Sequence, residues 1–261
     1  MSDILGRDVS GGIATLTLDD PGTLNSLSDR MLGALADQLS DISGSDLRAV
    51  ILRAEGRAFC AGHNLREMQA MRQAEDCGAA AFADLFDRCT AVMTAIRDLP
   101  QPVIAQVHGL ATAAGCQLVA SCDMAVASTE ARFGVNGVDI GLFCSTPMVA
   151  LSRNVGRKRA FEMLSTGGFL QAEEAVEAGL INRAVPPDRL AAETRALAET
   201  VAAKLSGAVR IGKGAFYAQL ERPLDAAYEL TRDAMVANLL EADTEEGMAA
   251  FLEKRPPNWT Q

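Results

Sequence analysis

Two stretches of this chain place small residues where an extended segment hands over to a helix, a position suited to main-chain chemistry. The first is Phe59-Cys60-Ala61-Gly62-His63-Asn64-Leu65; the second is His108-Gly109-Leu110-Ala111-Thr112-Ala113-Ala114-Gly115-Cys116-Gln117-Leu118. Small side chains let a ligand approach the backbone, and a helix start offers unpaired N–H groups with a favourable dipole. Two such groups converging on one point would form an oxyanion hole, able to stabilise a carbonyl oxygen as it gains negative charge. Tight turns and close strand–helix packing account for the same composition without any ligand.

Side chains able to move a proton are sparse around these stretches. His63 lies in the first, and its ordinary pKa suits proton transfer; His108 sits at a strand end and reads as structural. Two histidines cannot build a multi-histidine metal site, so no metal is expected. Cys60, Cys144 and Ser145 border the same region, but a nucleophile needs a neighbouring base, and a small buried cysteine is the simpler reading. Glu67, Glu75 and Asp76 read as a solvated helix face. Gly207-Ala208-Val209-Arg210-Ile211-Gly212-Lys213-Gly214 fits GxxxxGK, yet Gly214 stands where a magnesium-binding hydroxyl belongs and a helix precedes it. It reads as a glycine-punctuated helix junction.

The elements that must hold these stretches follow from hydrophobic spacing. Ile13 to Leu18 alternates as a strand, Ser28 caps a helix carrying Met31, Leu32, Leu35, Leu39 and Ile42 on one face, and Ala49 to Leu52 is a buried strand. Residues 79–97 are helical, Val103 to Val107 and Met124 to Ala127 are strands, and a glycine-rich crossing runs from Phe133 to Pro147. Beyond Pro147 the pattern is helical over 148–154, 157–165, 172–178, 188–206, 224–240 and 244–254. Strand–loop–helix units thus occupy the first two-thirds and helices the last third, an α/β class without a dividing linker.

Composition narrows the functions available. Of 261 residues, 49% are apolar and 22% charged, ordinary for a globular chain with a sizeable core. A net charge of −10 argues against nucleic-acid binding, which rests on neutralising phosphates, but permits a small anionic ligand held locally. No apolar stretch reaches membrane-spanning length, so no membrane partner is expected. The 6 cysteines form no CxxC framework, and Met1-Ser2-Asp3-Ile4 opens without a basic or apolar leader. Together these give the expectation of a cytoplasmic location.

Four ordered segments carry a resemblance to a known family. Asp20-Pro21 through Leu24-Asn25-Ser26-Leu27, Ala58 to Met68, Pro102-Val103-Ile104-Ala105 with Gly109 to Asp123, and Gly247 to Arg255 are similar to motifs of the enoyl-CoA hydratase/isomerase (crotonase) superfamily. Gly109 to Asp123 and Gly141 to Pro147 narrow the resemblance to one branch. It implies a crotonase-like spiral of ββα units over 1–200 with the acyl-CoA pocket, and a helical trimerisation region over 201–261. The protein would then be a homotrimer or dimer of trimers. It also implies an acyl-CoA partner, with coenzyme A arriving as part of the substrate and no permanently bound cofactor.

By motif position, Ala61 and Ala114 would supply the oxyanion-hole N–H groups, with Gly62, His63 and Asn64 beside the nucleotide and Thr23 and Leu24 as a second wall. The His63 ring is expected to face the nucleotide end or solvent. Lys254 matches a lysine that reaches CoA phosphate, and Asn64 replaces the usual aspartate. The two glutamates that hydratases use correspond to Gln117 and Gly137, neither of which can transfer a proton. Asp139 is the first candidate for a relocated acid, against the simpler reading of a surface aspartate. Two readings therefore stand: an enzyme that stabilises a thioester enolate, or a non-catalytic acyl-CoA-binding or regulatory protein on the same fold.

Overall fold

The computed structural model describes residues 4–260; Met1 to Asp3, on which part of the N-terminal reading rests, lie outside the described residues. An antiparallel hairpin of β1 (Leu5–Ser10) and β2 (Ile13–Leu18) opens the fold. Helix α1 (Asp29–Ser43) follows, capped by the Ser28 hydroxyl, which accepts the Met31 N–H at 3.2 Å, and the five apolar residues expected on its inner face are all buried. The chain then winds. The first turn comprises β3 (Ala49–Ala54), β4 (Ala58–Cys60), α2 (Leu65–Met71) and α3 (Ala79–Asp98). The second comprises β5 (Val103–Val107), β6 (Leu110–Thr112) and α4 (Ala114–Ser121). The third comprises β7 (Met124–Ser128) and β8 (Arg132–Gly134), a 3-10 turn at Gly137–Ile140, then α5 (Pro147–Asn154) and α6 (Arg157–Thr166). Strand β9 (Phe169–Gln171), α7 (Ala172–Glu177) and β10 (Arg183–Val185) close the spiral.

Each turn contributes one strand to each of two sheets. The larger runs β1-β2-β3-β5-β7-β10, parallel from β2 onward, and the smaller runs β4-β6-β8-β9. This is the ββα spiral that the resemblance implies. Continuous apolar runs such as Val50-Ile51-Leu52 suit it, because a central parallel strand is covered on both faces. One face packs Leu16, Leu18, Met31, Phe59 and Phe133 into the main core. The other sets Ile13, Ile51 and Ile104 against Ala198 and Ala202 of α8 (Leu190–Ala202).

Strands β4, β6, β8, β9 and β10 are three residues each, and the sequence pattern does not reveal them. An alternation needs more residues than that to be distinguishable. The helical tail also differs from expectation. Helix α9 (Ser206–Leu220) runs straight through the glycine-rich GxxxxGK segment, so no junction or phosphate loop exists there. Its Lys213 is buried instead: Nζ donates to Asp123 Oδ2 at 2.7 Å, Ile96 O at 3.0 Å and Gln101 O at 3.1 Å. Tyr217 adds a hydrogen bond to Asp123 Oδ1 at 2.8 Å. These bonds fasten the tail to the spiral just beyond the end of α4.

Helices α10 (Leu224–Leu239) and α11 (Ala242–Leu252) complete the tail. The expected division after residue 200 falls within the last turn of α8. Large apolar side chains of the tail, among them Leu224, Tyr228, Leu240 and Phe251, lie exposed. Among the described residues no helix is long and apolar enough to cross a membrane, and no cluster of potential metal ligands occurs.

Candidate functional site

The two small-residue stretches meet. Gly62 adopts φ +88°, a conformation L side chains rarely take, and a Cβ on it would lie 3.2 Å from the Ala114 nitrogen and 2.9 Å from the Ala113 Cβ. One residue further on, a Cβ at Gly115 would lie 2.1 Å from the Cys60 carbonyl oxygen. Glycine at both positions thus lets the end of β4 and the start of α4 close on each other with nothing between.

At this contact the main chain presents free donors. Helix α4 has no side-chain cap, and its first intrahelical donor is the Gln117 amide, bonded to Ala113 O at 3.1 Å. Ala113 stands just before it at φ 50° and ψ −122°, a strained conformation for a non-glycine residue that sets the direction of the next amide. Among the described residues neither the Ala114 nor the His63 N–H has an acceptor. Ala61 differs. Its N–H donates to Leu24 O at 3.1 Å, so the expected role of that amide needs correcting. The bond ties the loop to the turn at Thr23 and Leu24, the expected second wall, and the turn at Gly62 leaves the His63 amide available.

Asn25 organises this wall, a role the sequence reading missed. Fully buried, it donates from Nδ2 to Glu55 O at 2.7 Å and Ala58 O at 2.8 Å, while its Oδ1 accepts the Asp20 N–H at 2.8 Å. A buried amide with all these bonds made holds two loops in register. Its backbone is left-handed, φ 54°, which asparagine tolerates, so the signal in the sequence was an asparagine just after the Asp20-Pro21-Gly22 turn. Asn64 caps α2 by accepting the Arg66 N–H at 3.1 Å, and its Nδ2 donates to Glu67 Oε1 at 3.2 Å. Glu67 also accepts the Asp29 N–H, so it joins two helix starts.

The His63 ring turns inward, contrary to expectation. It packs edge-on against Phe86 of α3 with centroids 5.6 Å apart, and Nδ1 faces Leu27 O at 3.4 Å. Burial lowers its pKa below the usual histidine value, which favours the neutral ring. His108 bonds Gly56 O at 2.8 Å and is structural. All six cysteines are free, and five are buried; burial pushes the Cys60 and Cys116 thiols up to about 12, far from a reactive thiolate.

The two positions that the resemblance matches to hydratase glutamates are both unfit for proton transfer. Gln117, one helical turn beyond Ala114, is 5% exposed and its Oε1 has no partner. At Gly137 a Cβ would lie 2.1 Å from Leu142 O and 2.9 Å from Cys144 Sγ, so no side chain can occupy that place on this backbone. Asp139 is exposed and turned toward the end of α6: its Oδ1 lies 2.8 Å from where a Gly167 Cβ would stand, and Asn136 Nδ2 reaches Oδ2 at 3.4 Å. Asn136 in turn accepts the Thr112 hydroxyl at 2.6 Å, which links Asp139 to β6 through one side chain. Lys254 is exposed beyond α11.

Comparison with known proteins now defines the class. The enoyl-CoA hydratase/isomerase family matches residues 8–261, and the chain belongs to that family. More particularly, it is 48% identical over 250 residues to enoyl-CoA hydratase domain-containing protein 3, mitochondrial, of Homo sapiens, covering 95% of this chain and 81% of that protein. A crystal structure of the human protein superposes with a TM-score of 0.93 at 46% identity, covering 98% of this chain and 100% of that one. The crystal structure of an enoyl-CoA hydratase from Mycobacterium smegmatis superposes with a TM-score of 0.95 at 49% identity, each chain covered 100%. The fold is therefore the crotonase fold. The cytoplasmic expectation is overturned by the same relatives: those of human, mouse and Xenopus laevis are named mitochondrial proteins.

Proposed function

We propose that this protein binds an acyl-CoA thioester and polarises its carbonyl between the His63 and Ala114 N–H groups. The observation that carries the reading is the contact of two strand-to-helix junctions, each ending in an amide without an acceptor. Donors fixed by the fold need no reorganisation when charge develops on oxygen, and removing one such donor costs about 3 kcal/mol in other enzymes. An enolate of the thioester is the species such a site favours.

Hydration by a pair of carboxylates is not part of this function. Gln117 has no titrating group, and the place of the second acid is filled by the Leu142 carbonyl and the Cys144 thiol. The chemistry that remains is decarboxylation, in which the breaking C–C bond leaves its electron pair as the enolate and water then supplies the proton, or isomerisation in which a group of the substrate carries the proton from one carbon to the other. The same closed position at Gly137 favours a second reading, an acyl-CoA-binding or regulatory protein without turnover. Coenzyme A enters only with the substrate.

The exposed apolar side chains of α9 to α11 support assembly into trimers, because faces of that kind are covered in a soluble protein. Lys254 would then lie near a CoA phosphate, its own or a neighbour's. Calorimetry and single-turnover assays with a panel of acyl-CoA esters test the proposal. Binding with turnover selects the enzyme and binding alone selects the second reading, while no uptake of any ester contradicts both.

A further inference from the structure

Ala113 is held in its strained conformation from both sides. Its N–H donates to Gly134 O at 2.9 Å, and its carbonyl accepts the Gln117 N–H at 3.1 Å. The residue before it, Thr112, is buried and donates its hydroxyl to Asn136 Oδ1 at 2.6 Å. Asn136 Nδ2 reaches Asp139 Oδ2 at 3.4 Å, which orients the amide with its oxygen toward Thr112. Backbone in such a region persists only where its surroundings over-determine it. The two main-chain bonds continue the β6–β8 pairing and helix α4. The Thr112–Asn136 bond is made by side chains and depends on these residue types.

The geometry shows what that bond protects. An L residue with positive φ ordinarily rests near the left-handed helical well. Ala113 has the φ of that well, 50°, but its ψ is −122°. Relaxation into the well would turn ψ through about 170°. This angle sets the plane of the peptide that carries the Ala114 N–H, so the donor would swing to the opposite side of the chain. Glycine populates the mirror-β region as readily as its image and would need no clamp. The alanine makes the clamp necessary.

We infer that Thr112 and Asn136 are positioning residues: the hydrogen bond between them keeps Ala113 at its observed ψ and so holds the Ala114 N–H toward the thioester oxygen. Asp139 acts through Asn136, by orienting its amide. This rests on the acyl-CoA reading above, and none of the three side chains needs to touch the ester.

The test compares dissociation constants for butyryl-CoA and for S-butyl-CoA, the thioether that lacks the carbonyl oxygen, measured by calorimetry. A grip on the oxygen appears in the ratio of the two, whereas a general loosening of the fold weakens both alike. The wild type is expected to prefer the ester about tenfold or more, as suits two hydrogen bonds. Thr112→Val and Asn136→Leu remove the clamp at nearly constant size, and each is expected to bring the ratio to within about threefold of unity. Thr112→Ser keeps the hydroxyl and is expected to keep the ratio. Adding Ala113→Gly to Thr112→Val is expected to restore it, because glycine holds the conformation unaided. A wild-type ratio that persists in both Thr112→Val and Asn136→Leu, or that Ala113→Gly fails to restore, would overturn the inference while leaving the acyl-CoA reading intact. A ratio near unity in the wild type would overturn the reading and the inference with it. Should one clamp variant not fold, the other carries the comparison.

Discussion

Gly62 and Ala114 face each other across 52 positions of sequence, so closely that one added methyl on Gly62 would stand 3.2 Å from the Ala114 nitrogen. That contact joins two turns of the spiral at the point where their free amides lie. Gly62→Ala should therefore weaken acyl-CoA binding by at least tenfold, since the methyl covers the Ala114 donor. At φ +88° it should also cost about 1–2 kcal/mol of stability. Calorimetry with the folded variant and a urea titration measure the two effects separately. Ala114→Pro is a poorer probe, because its ring would be built on the nitrogen that Gly62 already crowds.

Ala113 has the opposite strain. At φ 50° and ψ −122° it occupies a region that suits glycine, and Ala113→Gly should relieve it. The gain of about 1–2 kcal/mol from strain, less about 0.5–1 kcal/mol from added freedom of the unfolded chain, leaves roughly 1 kcal/mol. Differential scanning calorimetry should show a rise of about 2–4 °C in Tm. An unchanged or lowered Tm would mean that the backbone there is not strained.

The spacing of small residues made both junctions legible in the sequence, and the helix faces of α1 and α3 followed from periodicity. The identity of the free amide did not. Whether Ala61 or His63 is available depends on the turn at Gly62 and on Leu24, whose carbonyl takes the Ala61 proton. Neither is visible in a run of small residues. The closed position at Gly137 is set by Leu142 and Cys144 on the returning loop, and Lys213 finds Asp123 across 90 positions. Contacts of that range belong to the fold, not to local pattern.

Restoring glutamates should not restore hydration. Gln117→Glu alone places a carboxyl in a buried site where desolvation favours its neutral form, and Gly137 supplies no second acid. In the double variant Gln117→Glu, Gly137→Glu, the new Cβ would meet Leu142 O at 2.1 Å, which forces the 137–144 segment to move. The expected results are no hydration of crotonyl-CoA above background for either variant, followed by ultraviolet absorbance, and a loss of stability of about 3 kcal/mol or more for the double. Efficient hydration by the double variant would show that the closed position opens readily.

The lowered pKa of His63 makes a signed prediction about stability. Below the ordinary value of 6.5 the unfolded chain takes up a proton that the folded chain resists, so the unfolded state binds more protons. Stability contributed by the neutral ring is thus complete above that value and is lost as pH falls through the lower folded pKa. Urea denaturation at pH 7 and pH 5.5 should show a decline in the wild type that is smaller in His63→Phe. Equal declines would place the ring in an environment no drier than the unfolded chain.

The most direct measurement is the infrared carbonyl stretch of a bound acyl-CoA labelled with carbon-13 at the thioester. Two amide donors on one oxygen should lower its frequency well below that of the free ester, and Gly62→Ala should return it toward the free value. A bound ester whose carbonyl frequency matches the free one would contradict the pairing of His63 and Ala114 as the donors.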